Sequence, residues 1–187
     1  MLKIAIIVGS TRPGRKSDAV ARWVHGIASS RSDADYTVLD IADYHLPMFD
    51  EPVPPSRGQY SQEHTLRWAA AIAACDGFVF VTPEYNHSTS GALKNAIDFL
   101  YAEWTNKAAG FVSYGGSGGA RAVEHLRGIL SEVQIAHVRA QVLLSLATDF
   151  EHYSVFKPAE RQTQSVNAML DQLVAWTRAM KTLRPQT

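Results

Sequence analysis

Hydrophobic positions along this chain follow two alternating patterns. Short continuous apolar runs, which suit strands covered on both faces of a sheet, occur five times. The predicted strands are 3–8, 36–39, 78–81, 108–113 and one within 135–146. Between them, apolar residues recur three and four positions apart, which predicts helices. The predicted helices are one after residue 16 and others at 61–74, 93–100, 122–133 and 160–180.

This alternation is typical of parallel strands joined by right-handed helical crossovers. It predicts a flavodoxin-like α/β fold, in which a doubly wound five-stranded parallel sheet of order 2-1-3-4-5 carries helices on both faces. With 187 residues and 46% hydrophobic content, the chain is expected to form a single domain over residues 1–187. Two stretches, 41–60 and 147–158, show neither pattern and are expected to be irregular.

Composition and charge argue against several classes of protein. The 18 basic side chains balance the 18 acidic ones, so no net field recruits nucleic acid or an anionic membrane. No window reaches the eighteen or so apolar residues of a membrane span, and the first residues lack the features of a signal peptide. Cys75 is the single cysteine, which fits a reducing compartment. A cytoplasmic protein without nucleic-acid or membrane partners is expected.

The loop after the first strand, residues 9–17, is rich in glycine, hydroxyl and basic side chains. It leads into a helix, so its amides converge on a helix N-terminus, where an anion is favoured. We expect a terminal phosphate there, held by Ser10, Thr11, Arg12 and Ser17.

The loop after the third strand is ill-suited to a plain turn. Pro83 and Tyr85 offer flat surfaces, Glu84 and Asn86 offer hydrogen-bonding groups, and the amides from His87 onward lead into a helix. Ligands bind outside the carboxyl ends of parallel strands. A planar heterocycle with polar edges is therefore the expected occupant.

The loop after the fourth strand is rich in glycine. Glycines permit close backbone approach, which suits a ring system lying against peptide planes. The candidate binding residues are Ser113, Tyr114, Gly115 and Gly116. Because all three loops follow parallel strands, they are expected to face one crevice.

The same three loops resemble those of a known family. Residues 83–98 closely resemble the flavin-contacting loop of the NADPH-dependent FMN reductases, a flavodoxin-like group that includes chromate, quinone and azo-dye reductases. Residues 9–17 resemble the family's FMN-phosphate loop, and residues 118–121 resemble its Gly-Gly-Ala-Arg segment beside the flavin. The chain departs from the family pattern at Ser90, where many relatives carry proline.

The resemblance implies an NAD(P)H oxidoreductase with bound FMN. Hydride would pass from NADPH or NADH through FMN to a small-molecule electron acceptor, namely a quinone, azo compound, chromate or free flavin, by a ping-pong mechanism. No side chain is expected to act as a nucleophile or metal ligand. The family also implies a homodimer or homotetramer whose flavin site lies near the subunit interface.

Some side chains outside the three core motifs have candidate roles. Arg15 and Lys16 are candidates for the 2′-phosphate of the nicotinamide cofactor, although exposed cations in loops are more often simply solvated. Trp104 is a candidate for a subunit contact or for a wall of the acceptor site, and Met48 and Phe49 are candidates for reaching a neighbour's flavin site. The other tryptophans are expected in the core. They are Trp23, Trp68 and Trp176.

Other functions fit the sequence less well or stay open. A P-loop nucleotide triphosphatase is disfavoured because Lys16 lies one residue out of register with the motif. A low-molecular-weight phosphatase needs a cysteine nucleophile in the first loop, and Cys75 is far from it. A flavodoxin-like electron carrier, or a flavin redox sensor acting on a protein partner, stays open. Such carriers are typically acidic, whereas this chain is neutral.

Overall fold

A computed structural model of the chain describes residues 1–184, so the last three residues of the predicted domain lie outside the described residues. Five parallel strands form one sheet in the order β2-β1-β3-β4-β5. The strands are β1 (Lys3–Val8), β2 (Asp35–Asp40), β3 (Gly77–Pro83), β4 (Lys107–Gly115) and β5 (Ile135–Ser145). The predicted fold class and strand order are confirmed.

Five α-helices cover the sheet within the described residues. They are α1 (Ser17–Ala28), α2 (Glu63–Ala73), α3 (Gly91–Asp98), α4 (Ala120–Glu132) and α5 (Arg161–Lys181). Alternate residues of β1 point to opposite faces. Ile4 and Ile6 join the core formed with α1 and α5, and Ala5 and Ile7 join the core formed with α2, α3 and α4. The sheet is thus buried between two helical layers, which explains its continuous apolar runs.

Helix α5 lies close to the sheet because two strand positions carry no side chain. A Cβ atom at Gly110 would lie 2.3 Å from Sδ of Met169, and one at Gly77 would lie 2.6 Å from Oγ1 of Thr177. Separations below 3.0 Å require something to move. These glycines therefore set the distance between α5 and the two central strands β3 and β4.

Three expectations from the sequence are wrong in detail. Trp104 is fully buried, where its Nε1–H donates to the carbonyl of Ile97 at 3.1 Å, so it is a core residue and neither a subunit contact nor a wall of the acceptor site. Trp176 is 46% exposed, while Thr177 takes the inward position. The stretch 147–158, expected to be irregular, contains a β-hairpin formed by β6 (Phe150–Glu151) and β7 (Val155–Phe156).

The proline-rich stretch 41–60 is hydrogen-bonded to the rest of the molecule. It contains two short 3₁₀ helices, Ile41–Tyr44 and Pro55–Arg57. The Glu51 carboxylate accepts hydrogen bonds from the N–H groups of Ser61 (2.9 Å) and Gln62 (3.0 Å), just before α2 begins. The amide of Asn95 on α3 donates to the carbonyl of Pro47 (2.6 Å) and accepts from the N–H of Phe49 (2.9 Å). The long loop is therefore hydrogen-bonded both to the residues just before α2 and to Asn95 of α3.

Among the helices of residues 1–184, none combines the length and the hydropathy needed to cross a bilayer.

Candidate functional site

The loops after β1, β3 and β4 meet at the carboxyl edge of the sheet. The N–H of Gly9 donates to the carbonyl of Val81 (2.8 Å), and the N–H of Glu84 donates to that of Tyr114 (3.0 Å), which joins the loops to one another. Together with residues after β5 they frame a cavity of about 240 Å³. Its lining residues are Arg12, Gly14, Arg15, Lys16, Pro83, Glu84, Tyr85, Tyr114, Gly115, Leu146 and Tyr153.

Arg15 fixes the shape of the first loop. Its guanidinium donates to the carbonyl of Ser10 at 2.6 Å, pairs with the carboxylate of Asp40, and approaches Oδ1 of Asp18 to 2.7 Å. Burial disfavours the charged form, but the two carboxylates outweigh it and raise the pKa of Arg15 above its usual value. Arg15 is thus an internal brace. Lys16, which also lines the cavity, makes no side-chain hydrogen bond or ion pair within residues 1–184.

Tyr85 connects the second loop to the first. Its hydroxyl lies 3.0 Å from Oγ of Ser10, and the guanidinium carbon of Arg12 lies 6.0 Å from the centre of its ring. The Arg12 N–H also donates to Oγ of Ser10 at 3.3 Å. A buried serine, an exposed arginine and an aromatic ring therefore come together on one side of the cavity.

Two buried hydroxyls lie close to each other at the cavity, and neither makes a hydrogen bond of good geometry with a described residue. They are Oγ of Ser17, which begins α1, and Oη of Tyr114, the second-last residue of β4. A buried polar group without a partner costs about 1–3 kcal/mol, so such groups in a native fold call for an explanation. Burial raises the pKa of Tyr114 above its usual value, so its phenol keeps its proton at neutral pH. A ligand that brings acceptor oxygens would satisfy both hydroxyls.

The second loop makes a tight turn at Tyr85–Ser88. Tyr85 and Ser88 exchange backbone hydrogen bonds of 2.9 and 3.1 Å, and Asn86 and His87 between them have φ values of 46° and 74°. Asparagine adopts this left-handed conformation readily, and histidine adopts it at a small cost relative to glycine. After the turn, Oγ of Ser90 caps α3 by accepting from the N–H of Leu93 at 3.0 Å. The Asn86 and His87 side chains are consequently exposed at the rim.

The Glu84 carboxylate is paired with Arg121 of α4. Its side chain is only 5% exposed, and its carboxylate pairs with Arg121 through Nε (2.7 Å) and accepts from the Arg121 N–H (3.2 Å). The carboxylate thus lies at the N-terminus of α4, where a negative charge is stabilised. Glu84 contributes to the wall of the cavity while fastening the second loop to the third.

Ser113 has a similar structural role in the third loop. Its hydroxyl is buried and donates to the carbonyl of Gly118 at 2.7 Å, closing the turn that leads to α4. Gly115 lines the cavity, and Gly116 beyond it is exposed. The third loop therefore contributes the Tyr114 side chain and the backbone of Gly115 to the cavity.

The structure brings together part of the predicted set. Six predicted residues line the cavity, namely Arg12, Pro83, Glu84, Tyr85, Tyr114 and Gly115. Ser10 and Ser17 are buried beside it, and Thr11 lines a neighbouring cavity of about 450 Å³. Asn86, His87, Ser113 and Gly116 do not line it. The sequence did not indicate Gly14, Leu146 or Tyr153 as lining residues. Leu146 directly follows β5, and Tyr153 lies in the stretch 147–158 that was expected to be irregular.

Comparison with known proteins identifies the family. The family model described as NADPH-dependent FMN reductase matches residues 2–149. The chain belongs to this family. It is therefore an oxidoreductase whose cofactors are FMN and NAD(P)H. The residue types at the cavity suit FMN: the hydroxyls of Ser17 and Tyr114 and the cations Arg12 and Lys16 are groups that would hold a phosphate, and Tyr85 offers a flat surface.

Individual relatives agree with this assignment. The chain is 43% identical over 161 residues to the NAD(P)H-dependent FMN reductase ntnL of Nectria sp, covering 82% of this chain and 80% of that protein. It is 38% identical over 135 residues to the quinone reductase of Escherichia coli K12, covering 69% of each. Among solved structures, the flavoenzyme NAD(P)H:(acceptor) oxidoreductase FerB from Paracoccus denitrificans shares the fold, with a TM-score of 0.75 at 23% identity, over 96% of this chain and 99% of that one.

Proposed function

We propose that this reductase transfers electrons from NAD(P)H to quinones by a ping-pong mechanism, with azo compounds, chromate and free flavin as further acceptors. One observation carries the flavin site on which the proposal depends: the neighbouring buried hydroxyls of Ser17 and Tyr114 make no hydrogen bond of good geometry within the described residues, at a cavity that Arg12 and Tyr85 also line. Support for the acceptor class comes from the relatives, since the E. coli protein is named a quinone reductase.

Residues from each of the three loops have a stated role in this proposal. Bound FMN would supply the hydride and electron chemistry, accepting from NAD(P)H and giving to the acceptor. Arg12 and Lys16 provide positive charge for its phosphate, while Ser17 and Tyr114 donate hydrogen bonds to its oxygens. The Tyr85 hydroxyl is hydrogen-bonded to Ser10, which holds the Tyr85 ring in a fixed orientation. The backbone around Gly115 lets a ring approach closely. All thirteen predicted binding residues stay part of the proposed site or its support.

The buried hydroxyl of Tyr114 gives a sharp test of the cofactor site. The Tyr114→Phe variant removes a buried polar atom that lacks a well-formed hydrogen bond, so the apoprotein should unfold at a temperature equal to or above that of wild type. The same variant should bind FMN about tenfold more weakly in a fluorescence titration, because one donor is lost. Thr177→Val is the matched control: it also removes a buried hydroxyl that lacks a partner in residues 1–184, but away from the cavity. Unchanged FMN affinity in Tyr114→Phe would count against the site.

The acceptor and the kinetic mechanism need a separate test. Protein reconstituted with FMN should oxidise NADPH in the presence of a small quinone, and double-reciprocal plots at several quinone concentrations should be parallel. Intersecting lines would refute the ping-pong mechanism. Rapid reaction with NADPH but none with any small acceptor would favour the electron carrier or the redox sensor instead.

Three further proposals concern the whole molecule. We propose a homodimer or homotetramer, which the exposed Met48 (82%) and Phe49 (41%) within the loop 41–60 support. We propose a cytoplasmic location, supported by the balanced charge and by Cys75 being a buried free thiol. We also propose that residues 1–187 form one FMN-binding domain, supported by the two cores that share one sheet. Sedimentation equilibrium tests the first of these directly.

A further inference from the structure

The hairpin β6–β7 extends the cavity beyond the segment that the family model matches. The model match ends at residue 149, and the hairpin occupies residues 150–156. Tyr153 at its tip is 67% exposed, yet it is one of the side chains that line the cavity together with Arg12, Tyr85 and Tyr114. The tip therefore adds an aromatic ring to a cavity whose other walls come from the three loops.

The hairpin is firmly attached at its base. Phe150 is buried, with its ring centre 6.0 Å from that of Tyr114 and 5.1 Å from that of Phe156. Phe156 in turn lies 5.4 Å from Trp23 on α1, edge to face. Such pairs are favourable arrangements for aromatic rings. The tip is consequently held in a fixed place with respect to the first and third loops.

The backbone of the tip is strained, and the strain falls on the residue that faces the cavity. The Ser154 N–H donates to the carbonyl of Glu151 at 2.9 Å, and the two residues between them, His152 and Tyr153, have φ values of 50° and 55°. Turns with two consecutive positive φ values favour Asn-Gly or Gly-Gly. Non-glycine residues in such conformations concentrate at functional sites. A tyrosine in this position is costly for the fold alone and is explained by a contact with a ligand.

We propose that Tyr153 is an aromatic contact for FMN in this cavity. The inference rests on the proposed cofactor site, and it assigns the hairpin a part in holding the cofactor. A flat aromatic side chain suits a ligand that carries a fused ring, and stacking of this kind is used wherever proteins hold planar bases. The phenol ring, and not its hydroxyl, supplies the contact, so phenylalanine should substitute for tyrosine.

The test compares two neighbouring glycine substitutions. His152→Gly and Tyr153→Gly each relieve one strained residue, so both apoproteins should unfold at a temperature equal to or above that of wild type. FMN affinity, from fluorescence titration, should fall about tenfold in Tyr153→Gly and stay within about twofold in His152→Gly and Tyr153→Phe. Equal affinities in all four proteins would overturn the proposal. A loss of affinity in His152→Gly as large as in Tyr153→Gly would overturn it as well, because the effect would then belong to the turn.

Hydrogen exchange on the wild-type apoprotein gives a second readout. Adding FMN should slow amide exchange in residues 150–156, because a bound ligand stabilises the segment that contacts it. Protection confined to the three loops would refute the role of the hairpin while leaving the cofactor site intact. If the wild-type protein retained no FMN, the cofactor site itself would fail. The two failures are therefore distinguishable.

Discussion

Replacing Glu51 by glutamine tests how the long loop 41–60 is held. One carboxylate oxygen accepts from the N–H and hydroxyl of Ser61 (2.9 and 2.8 Å), and the other accepts from the N–H of Gln62 (3.0 Å). Glutamine keeps one acceptor oxygen and turns an NH₂ group toward a donor. It also removes a negative charge from the N-terminus of α2, where that charge is favourable.

The expected loss of stability follows from these contacts. An unpaired buried donor costs about 1–3 kcal/mol, and loss of a partly buried charge at a helix N-terminus costs up to about 2 kcal/mol. Because the contributions are not additive, Glu51→Gln should lower the free energy of unfolding by about 2–4 kcal/mol at pH 7. Glu63→Gln, in the first turn of the same helix but exposed, should change it by less than about 0.5 kcal/mol.

The pH dependence of the free energy of unfolding distinguishes the contribution of the Glu51 charge from that of its packing. Burial would raise the pKa of Glu51, but hydrogen bonds from Ser61, Thr65 and Gln62 outweigh it and lower the pKa from 4.5 to about 2. A carboxyl with a lowered pKa stabilises the fold above its unfolded pKa, and this contribution is lost as the pH falls toward the folded value. The difference between wild type and Glu51→Gln should therefore be full at pH 7 and shrink by about half or more at pH 3.

Urea denaturation of both proteins at pH 7, 5 and 3 measures this difference. A gap that stays constant across the three pH values would show that the charge of Glu51 does not hold the loop. A gap below about 0.5 kcal/mol at pH 7 would refute the capping role altogether.

Three further substitutions test other parts of the structure. Lys107 is buried, donates to the carbonyl of Ile72 at 2.7 Å, and burial lowers its pKa from 10.5 to about 8. Folding therefore favours the neutral form of Lys107 relative to the unfolded chain. The free energy of unfolding of wild type, relative to that of Lys107→Met, should rise between pH 8 and 10.5. A difference between the two proteins that does not change with pH in urea titrations would contradict this. His87→Gly should raise the free energy of unfolding by about 0.5–1 kcal/mol by relieving a positive φ, and a lower melting temperature would argue that the His87 side chain stabilises the turn. Arg15→Ala should weaken FMN binding about tenfold in fluorescence titration, because Ser10 loses the donor that fixes the first loop, and wild-type affinity would exclude the bracing role.

The sequence was enough to predict the fold because strand and helix patterns were long and regular. The apolar run of β3 and the spacing of residues in α4 each indicated one structure only. The error at Trp176 arose because helical spacing places both Trp176 and Thr177 near the buried stripe. Only the close approach of α5 to Gly77 decides that the smaller Thr177 points inward. A pattern based on hydrophobicity favours tryptophan and cannot report that distance.

The candidate site was predictable in its position but not in the direction of its side chains. Loops after parallel strands must share one edge of the sheet, so the convergence of the three loops followed from the fold class. Whether Glu84 points to a ligand or to Arg121 depends on contacts 37 residues apart in the chain. Arg15 likewise looks like a free cation in the sequence, and its partner Asp40 comes from the end of β2. Such pairings appear only when the chain is folded.

The pairing of Glu84 with Arg121 has a consequence for engineering this reductase. Exchanging the β3–α3 loop for that of a relative is an obvious way to change which acceptors are used. However, Glu84 in this loop is also the counterion of Arg121 at the start of α4. A foreign residue at 84 leaves the Arg121 guanidinium without its partner, and a foreign residue at 121 leaves a nearly buried carboxylate uncompensated. The two segments should therefore be transplanted together, and natural variation at the two positions is expected to occur in step.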